Sequence, residues 1–439
     1  MPQELDIRAA DFERKFSALL AAKREQAEDV DAAARAILKE VRERGDAALY
    51  DFSLRFDHVD LREKGLRVTK AEIDAALNQV PTSTMAALVL ACGRIESFHR
   101  RQLPTDDIFR DSLGVELGHK WTPIEAVGLY VPGGTASYPS SVLMNALPAK
   151  AAGAPRVVMT VPAPRGELNP LVLAAAHIAG VDEIYRIGGA QAIAALAYGT
   201  ESVAPVAKIV GPGNAYVAAA KRLVFGTVGV DMVAGPSEVV IVADRETNHE
   251  WIAADLLAQA EHDAFAQSIL ITDDRDFANA VKEEVAAQLA RLPRSEIAGA
   301  SWRDFGAVIL VETLAQAPAL VNRLAPEHLE LATENPDAFL GEIRNAGAIF
   351  LGRHTPEAMG DYVAGSNHVL PTARSARFFS GLGTLDFMKR SSILKLNPAS
   401  LQQLGPAAIT LARAEGLEAH SRSVGVRIGV PPAGEESGS

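Results

Sequence analysis

The fold is decided by residues 126–226, read as AVGLYVPGG (126–134), SSVLMNALPAKAAGA (140–154), RVVMTVPAP (156–164), LVLAAAHIAG (171–180), EIYRIGG (183–189), AQAIAALAYG (190–199), AKIVGPG (207–213) and NAYVAAAKRLVFG (214–226). Short apolar runs ending in glycine or proline alternate with alanine-rich runs of helical spacing. Parallel strands need a crossover between them, and a helix is the usual one, so the alternation predicts a parallel α/β sheet. A second alternation opens at EVVIVAD (238–244). It continues through a helix around 250–261, SILITDD (268–274), a helix over 276–291, GAVILVE (306–312) and AGAIFLG (346–352). Two α/β units in tandem are expected, with a boundary near 235–238 at the Ala-Gly-Pro-Ser turn. Before Trp121 the pattern differs, and residues 11–100 read as helical, with apolar residues three and four apart. Beyond the helix-poor stretch 352–385, a last helical and strand segment ends in VGVRIGV, and the tail PPAGEESGS is expected to be disordered.

Composition narrows the class. At 439 residues the chain exceeds one ordinary core, and its hydrophobic share of 48% marks it as globular. The net charge of −12 comes without a basic block that could neutralise phosphates along a groove. That disfavours DNA or RNA and favours a small substrate. No apolar run reaches the roughly 18–20 residues that span a bilayer. The segment MPQELDIRAADFERKF carries acidic residues where a signal peptide has a basic start and an apolar core, so a cytoplasmic protein is expected. One cysteine, Cys92, leaves no intramolecular disulfide and no thiolate-rich metal site, and its apolar helical setting reads as buried packing.

Four motifs gather metal-binding and proton-transferring side chains: LLAQAEHD (256–263), APEHLE (325–330), GDYVAGSNHVLPT (360–372) and EGLEAHSRSV (415–424). Gln259 and His262, three apart on a helical segment, share a face and can grip one ion or simply end a helix in solvent. Asp361 and His420 add a hard oxygen and an imidazole, completing a nitrogen and oxygen set suited to zinc or manganese if the four converge. Glu327 and His328 form an adjacent acid and base after Pro326, in a segment that reads as a strand-to-helix turn. A helix start after proline would let both border one pocket. His328 has the intrinsic pKa to accept a proton near neutrality, and Glu327 can activate water once partly desolvated. The plainer alternative is a first-turn acid beside a packing histidine. His368 follows Asn367 in a loop open to ligand or to solvent. Ser237 is a substrate donor or a turn residue, while His58, His99, His119, His177 and His249 stand alone and read as surface or packing residues.

Glycine-rich turns follow the strands at VPGG (131–134), IGGAQA (187–192) and VGPGNAY (210–216). Such turns let backbone amides at a helix start approach a phosphate, so a nucleotide is one reading and ordinary tight turns the other. The dinucleotide fingerprint is incomplete: Gly211 and Gly213 are present, Tyr216 takes the third glycine position, and no acidic residue is placed for a ribose.

Taken in order, GLYVPGG, YPSSVLMNALPAKAAGAP, IGGAQAIAALAYGT, KIVGPGNAYV, DMVAGPSEVVIVAD, LLAQAEHD, PEHLE, GDYVAGSNHVLPT and AEGLEAHSRSV closely resemble the histidinol dehydrogenase family over about residues 20–430. The resemblance implies two tandem incomplete Rossmann-like parallel-sheet domains with small N-terminal helical and C-terminal dimerisation segments. Its division of the chain is a helical arm at 1–25, a domain of 26–120 and 238–380 carrying metal and acid–base residues, and an NAD-contacting domain at 121–237. A segment at 381–430 reaching the partner subunit and a tail at 431–439 complete it. The implied activity is oxidation of L-histidinol through L-histidinaldehyde to L-histidine by a homodimer, with one zinc ion per subunit and reduction of two NAD. Gln259, His262, Asp361 and His420 match the family's zinc ligands, with His420 expected from the partner subunit. Glu327 and His328 match the acid–base pair. Ser237, His368 and Glu415 match substrate-binding positions, together with His328 and the four ligands, while Tyr130, Gln191 and Asn214 match NAD contacts. On this reading His328 takes the hydroxyl proton as hydride leaves, and Glu327 activates the water that attacks the aldehyde. A lone apolar-flanked Cys92 argues against a thioester route.

Two other readings compete. A paralogous zinc- and NAD-dependent dehydrogenase would keep the metal and the acid–base pair while changing the substrate contacts, yet His368 and Glu415 are both present. A non-catalytic metal-binding protein on the same scaffold would need neither Glu327 with His328 nor glycine turns after its strands.

Overall fold

The alternating runs form parallel strands in a computed structural model that describes residues 2–22, 30–133, 138–232 and 235–431. Gly134 of VPGG, Ala234 of the boundary turn, part of the first helical stretch (23–29) and the tail from residue 432 lie outside the described residues. In chain order the strands are β1 (Gln3–Asp6), β2 (Asp107–Arg110), β3 (Glu116–Pro123), β4 (Ala126–Tyr130), β5 (Arg156–Thr160), β6 (Glu183–Tyr185), β7 (Lys208–Val210), β8 (Gly229–Val230), β9 (Glu238–Ala243), β10 (Gln267–Thr272), β11 (Ala307–Leu310), β12 (His328–Ala332), β13 (Ala348–Leu351) and β14 (Met388–Lys395). β4 to β8 make a five-stranded sheet in the order β6-β5-β4-β7-β8, parallel throughout. A six-stranded parallel sheet runs β1-β11-β10-β9-β12-β13. Without β1, the second order repeats the topology of the first. Each sheet winds outward from its first strand and then reverses, between β4 and β7 in one and between β9 and β12 in the other.

The chain divides into two compact units, Met1–Leu103 with Ile124–Phe387, and Pro104–Pro123 with Met388–Ser439. Both parallel sheets belong to the first. Their central strands, such as β9, β10, β11 and β12, are buried on both faces, as near-continuous apolar runs require. In the six-stranded sheet Val239, Ile241 and Leu270 join one core, while Val240, Val242, Leu329 and Leu331 join the other. Each such side chain taken from water contributes about 1.5–3 kcal/mol. The second unit holds the antiparallel sheet β14-β3-β2 and two helices, Pro398–Ala414 and Glu418–Ile428. Among the described residues no single helix is long and apolar enough to cross a membrane.

Three local readings are corrected. The segment after Pro326 begins a strand, not a helix: the helix Ala317–Leu324 stops at Ala325, whose backbone is left-handed (φ 49°), and His328 already pairs with Val239 and Ala348. A left-handed residue followed by proline cannot continue a helix, and HLELA then alternates as a strand does. At the start of the chain Gln3–Asp6 is a strand on β11, with the helix Phe12–Ala21 after it. The segment VGVRI is the end of the last helix rather than a strand.

Candidate active site

His328 opens β12, so His328 and Glu330 project from one face while Leu329 and Leu331 fill the core on the other. The helix His249–Ala260, capped by the Asn248 side chain on the Glu250 amide, covers the former face and carries Asp255 and Gln259. β13 leads to the short helix Glu357–Tyr362, where Glu357 and Asp361 lie one turn apart. Three elements thus gather side chains around one imidazole. His328 Nδ1 donates to the Glu238 carbonyl at 3.0 Å, which leaves Nε2 as the atom able to exchange a proton. Nε2 is buried without a hydrogen-bond partner, 3.7 Å from Asp361 Oδ1. Glu327 Oε2 and Glu357 Oε2 each stand 3.7 Å from Nδ1. Glu327 is aimed by the Glu238 amide, which donates to its Oε2 at 2.9 Å.

Charge governs these groups. Burial alone would depress the His328 pKa, but Glu327, Glu357 and Asp361 outweigh it and push it up to about 10. Burial pushes Glu357 up to about 8 against the opposing pull of His328. Asp361 would also be raised by burial, yet the His328 imidazolium holds it below the usual carboxylate range. Glu330 is driven well above that range by burial and by Asp255, which hydrogen-bonds to it and is itself raised by burial to about 6. The cluster is short of positive charge. Gln259, 1% exposed, has both its amide nitrogen and its amide oxygen buried without a hydrogen-bond partner. An unsatisfied buried amide costs about 1–3 kcal/mol, so this residue suits an ion or ligand that would engage it.

The expected ligands are distributed as follows. Gln259 ends its helix and His262 lies just beyond the cap, its amide bonded to the Gln259 carbonyl at 3.2 Å. His262 is exposed at the end of this segment, yet desolvation by the groups packed around it lowers its pKa against the pull of Asp361. Gln259, His262, Asp361, Glu327, His328, His368 and Ser237 all belong to the first unit. Glu415 and His420 belong to the second, at the end of one helix and within the next, and both are exposed. Among the described residues no three His, Cys, Asp or Glu side chains converge in metal-binding geometry. The first unit offers only two of that kind to the expected set, with an amide as the third donor. That nitrogen and oxygen set nevertheless fits zinc.

Ser237 directly precedes β9 and is half-buried, its carbonyl taking the Gln267 amide at 3.0 Å. His368 donates Nδ1 to the Asp361 carbonyl at 3.0 Å and turns Nε2 toward Ser141 Oγ at 3.5 Å. Ser141 lies in the first turn of the helix Pro139–Ala151, which follows β4. The amino edge of β12 is thereby tied to the carboxyl edge of β4.

The NAD-matching residues lie around that second edge. Tyr130 ends β4, and its buried hydroxyl accepts the Gly189 amide at 3.1 Å. Burial pushes the phenol up to about 12. Gln191 is buried in the first turn of the helix Gly189–Tyr198. Asn214 caps the helix Ala215–Val224 by accepting the Val217 amide at 3.1 Å, and is exposed. Gly211 has φ +115°, and a Cβ there would stand 2.1 Å from the Tyr130 carbonyl oxygen, so only glycine fits. Tyr216, in the third fingerprint position, is 45% exposed. An exposed position of this kind leaves room for a bulky side chain.

Sequence reading missed Glu357, Glu330 and Asp255. A turn-spaced Glu-Ala-Met-Gly-Asp before Tyr362 and an acid inside the apolar strand HLELA were the available signals. It also set His99 aside. That ring is fully buried, holding Gln102 Oε1 at 3.0 Å and Asn367 Nδ2 at 3.2 Å, and so braces the loop of His368. Cys92 is half-buried, and burial pushes its thiol up, away from a reactive thiolate.

The family model for histidinol dehydrogenase matches residues 20–428. The histidinol dehydrogenase of Rhizobium meliloti (strain 1021) is 68% identical over 425 residues, covering 97% of each chain. That of Rhodopseudomonas palustris is 67% identical, covering 98% of this chain and 99% of its own. The crystal structure of histidinol dehydrogenase from Elizabethkingia anophelis superposes with a TM-score of 0.93 at 36% identity, over 98% of both chains. On the fold and on these matches together, the chain belongs to the histidinol dehydrogenase family.

Proposed function

We propose that this chain oxidises L-histidinol through L-histidinaldehyde to L-histidine, the closing steps of histidine biosynthesis, as a cytoplasmic homodimer with one zinc ion per subunit and two NAD reduced per turnover. The observation that carries the reading is the His328 cluster, in which a proton-exchanging Nε2 and an orphaned Gln259 amide sit among buried carboxylates. In balance, alcohol and NAD give aldehyde, NADH and a proton; aldehyde, water and a second NAD give carboxylate, NADH and two protons. Three protons leave in all, so the site needs acceptors as much as hydride geometry.

Gln259, His262 and Asp361, with the partner subunit's His420, would hold zinc. When bound, zinc supplies a Lewis acid without redox chemistry of its own, able to fix the imidazole and amino nitrogens of histidinol. Held there, its charge would also offset the carboxylates that otherwise keep His328 protonated. His328 Nε2 then takes the hydroxyl proton, oriented by the Nδ1 bond to Glu238. Glu327, aimed by the Glu238 amide, activates water for the aldehyde step. Ser237, His368 and Glu415 orient the substrate. Tyr130, Gln191 and Asn214 contact NAD at the carboxyl edge of the five-stranded sheet.

The test is NADH formed per L-histidinol consumed, with the amino-acid product followed in the same sample, before and after chelation. Two NADH per histidine, lost on chelation and restored by zinc, is the expected result. No turnover of histidinol by an intact, metal-loaded dimer would overturn the proposal and turn attention to other amino alcohols.

A further inference from the structure

The turn Gly211-Pro212-Gly213-Asn214 is held from behind by a pair of buried charges that the reaction itself does not use. Lys221 lies two turns into the helix Ala215–Val224, among the core residues Val217, Ala220 and Val224, and its side chain is 3% exposed. Its ammonium donates to the Gly211 carbonyl at 2.9 Å and pairs with the Asp231 carboxylate, whose side chain is 1% exposed. Asp231 Oδ2 in turn accepts the Gly211 amide at 2.8 Å. Asp231 directly follows β8, and its own amide is bonded to the Ile209 carbonyl of β7 at 3.2 Å. Both polar groups of one peptide residue are therefore fixed by opposite ends of one ion pair.

A buried ion pair is a poor source of stability, because desolvating two charges offsets most of their attraction. What it confers well is geometry. Gly211 sits at φ +115° against the Tyr130 carbonyl, a conformation with little intrinsic preference to hold it. Its orientation sets where Asn214 and the start of the following helix stand. From this geometry we infer that Lys221 and Asp231 are positioning residues for NAD: they hold the Gly211–Asn214 turn in the shape that receives the dinucleotide. The inference rests on the reading that this turn contacts NAD.

Three proteins test it: the wild type, Asn214→Ala, and the double variant Lys221→Met with Asp231→Asn. The double variant leaves no lone buried charge and keeps an acceptor for the Gly211 amide, so the fold is retained, which circular dichroism and thermal melting verify. Lys221→Gln with Asp231→Asn, which is also neutral and keeps a donor in reach of the Gly211 carbonyl, serves as a second variant if the first pair is poorly tolerated. NADH affinity is measured by fluorescence titration, with KM for NAD and for histidinol and zinc content determined alongside. The expected result is NADH affinity and KM for NAD each worse by about tenfold in the double variant, with KM for histidinol and zinc content held. Asn214→Ala weakening NADH binding while the double variant binds as the wild type does would overturn the clamp and keep the NAD reading. Unchanged binding in Asn214→Ala would overturn the placement of NAD at this turn, and the clamp with it. Equal losses in NAD, histidinol and zinc binding with a lowered melting temperature would make the pair a general structural element and overturn its specific role.

Discussion

The two parallel sheets wind alike and gather their candidate site residues at opposite edges. In the five-stranded sheet the candidate cofactor residues follow the carboxyl ends of β4, β6 and β7, at the reversal of strand order where such folds bind ligands. In the six-stranded sheet the candidate acid–base residues collect at the amino ends of β9 and β12, where Glu238 and His328 begin their strands. Residue type explains the difference. The first edge is made of glycine turns and neutral side chains, which bring backbone amides close to a ligand. The second is made of carboxylates and imidazoles drawn from a strand start, the end of the helix His249–Ala260 and the helix Glu357–Tyr362, which trade backbone access for charge. The Ser141–His368 contact links the two edges, so one topology duplicated in the chain carries two different kinds of side chain.

The largest expected effect lies at the charged edge. His328→Asn should slow single-turnover oxidation of histidinol by about 10²–10⁴-fold, and Glu327→Gln should impose a similar loss chiefly on histidinaldehyde. Rapid-mixing experiments started separately from alcohol and aldehyde measure both, and equal losses in both steps would undo the division of roles. Next, Gln259→Leu should weaken zinc binding by about 10–100-fold in chelator competition while leaving NADH affinity untouched. A parallel loss of NADH affinity would show that the two edges are not separable. At the neutral edge, Tyr130→Phe strands the Gly189 amide and should cost about 1–3 kcal/mol, read as weaker NADH binding with zinc affinity preserved.

The smallest effect is on stability and isolates the charge imbalance. In metal-stripped protein Glu357 is raised from 4.5 to about 8 and His328 from 6.5 to about 10. Each binds more protons folded than unfolded across its window, so each lowers stability as pH rises. The Glu357 contribution is lost between 4.5 and about 8, and the His328 contribution between 6.5 and about 10. Melting temperature should therefore fall across that range, and Glu357→Gln should flatten its lower part. A rise with pH in the stripped protein would mean that other titrations outweigh this cluster.

The sheets were legible because strands buried on both faces must be apolar runs and parallel crossovers must be helices, so EVVIVAD and RVVMTVPAP announce themselves. Gln259, Asp361, Glu327 and His328 were legible as residue types in short motifs, and their family resemblance supplied the roles. Other features were not. The strand at HLELA hid behind Pro326, because a proline after a possible turn suits a helix start as well as a strand start, and only the left-handed Ala325 and pairing with β9 decide between them. Glu330, Glu357 and Asp255 carry ordinary local signals; what makes them unusual is burial beside one another, which sequence does not encode locally. The sequence by itself determined the alternation of elements, the donor types and the missing thiolate, since these follow from periodicity and side-chain chemistry. Tertiary structure alone decided at which edge of each sheet the candidate residues gather, that His99 braces the Asn367 loop, and that Lys221 meets Asp231 at Gly211, because long-range pairing and desolvation arise only when distant segments are brought into contact.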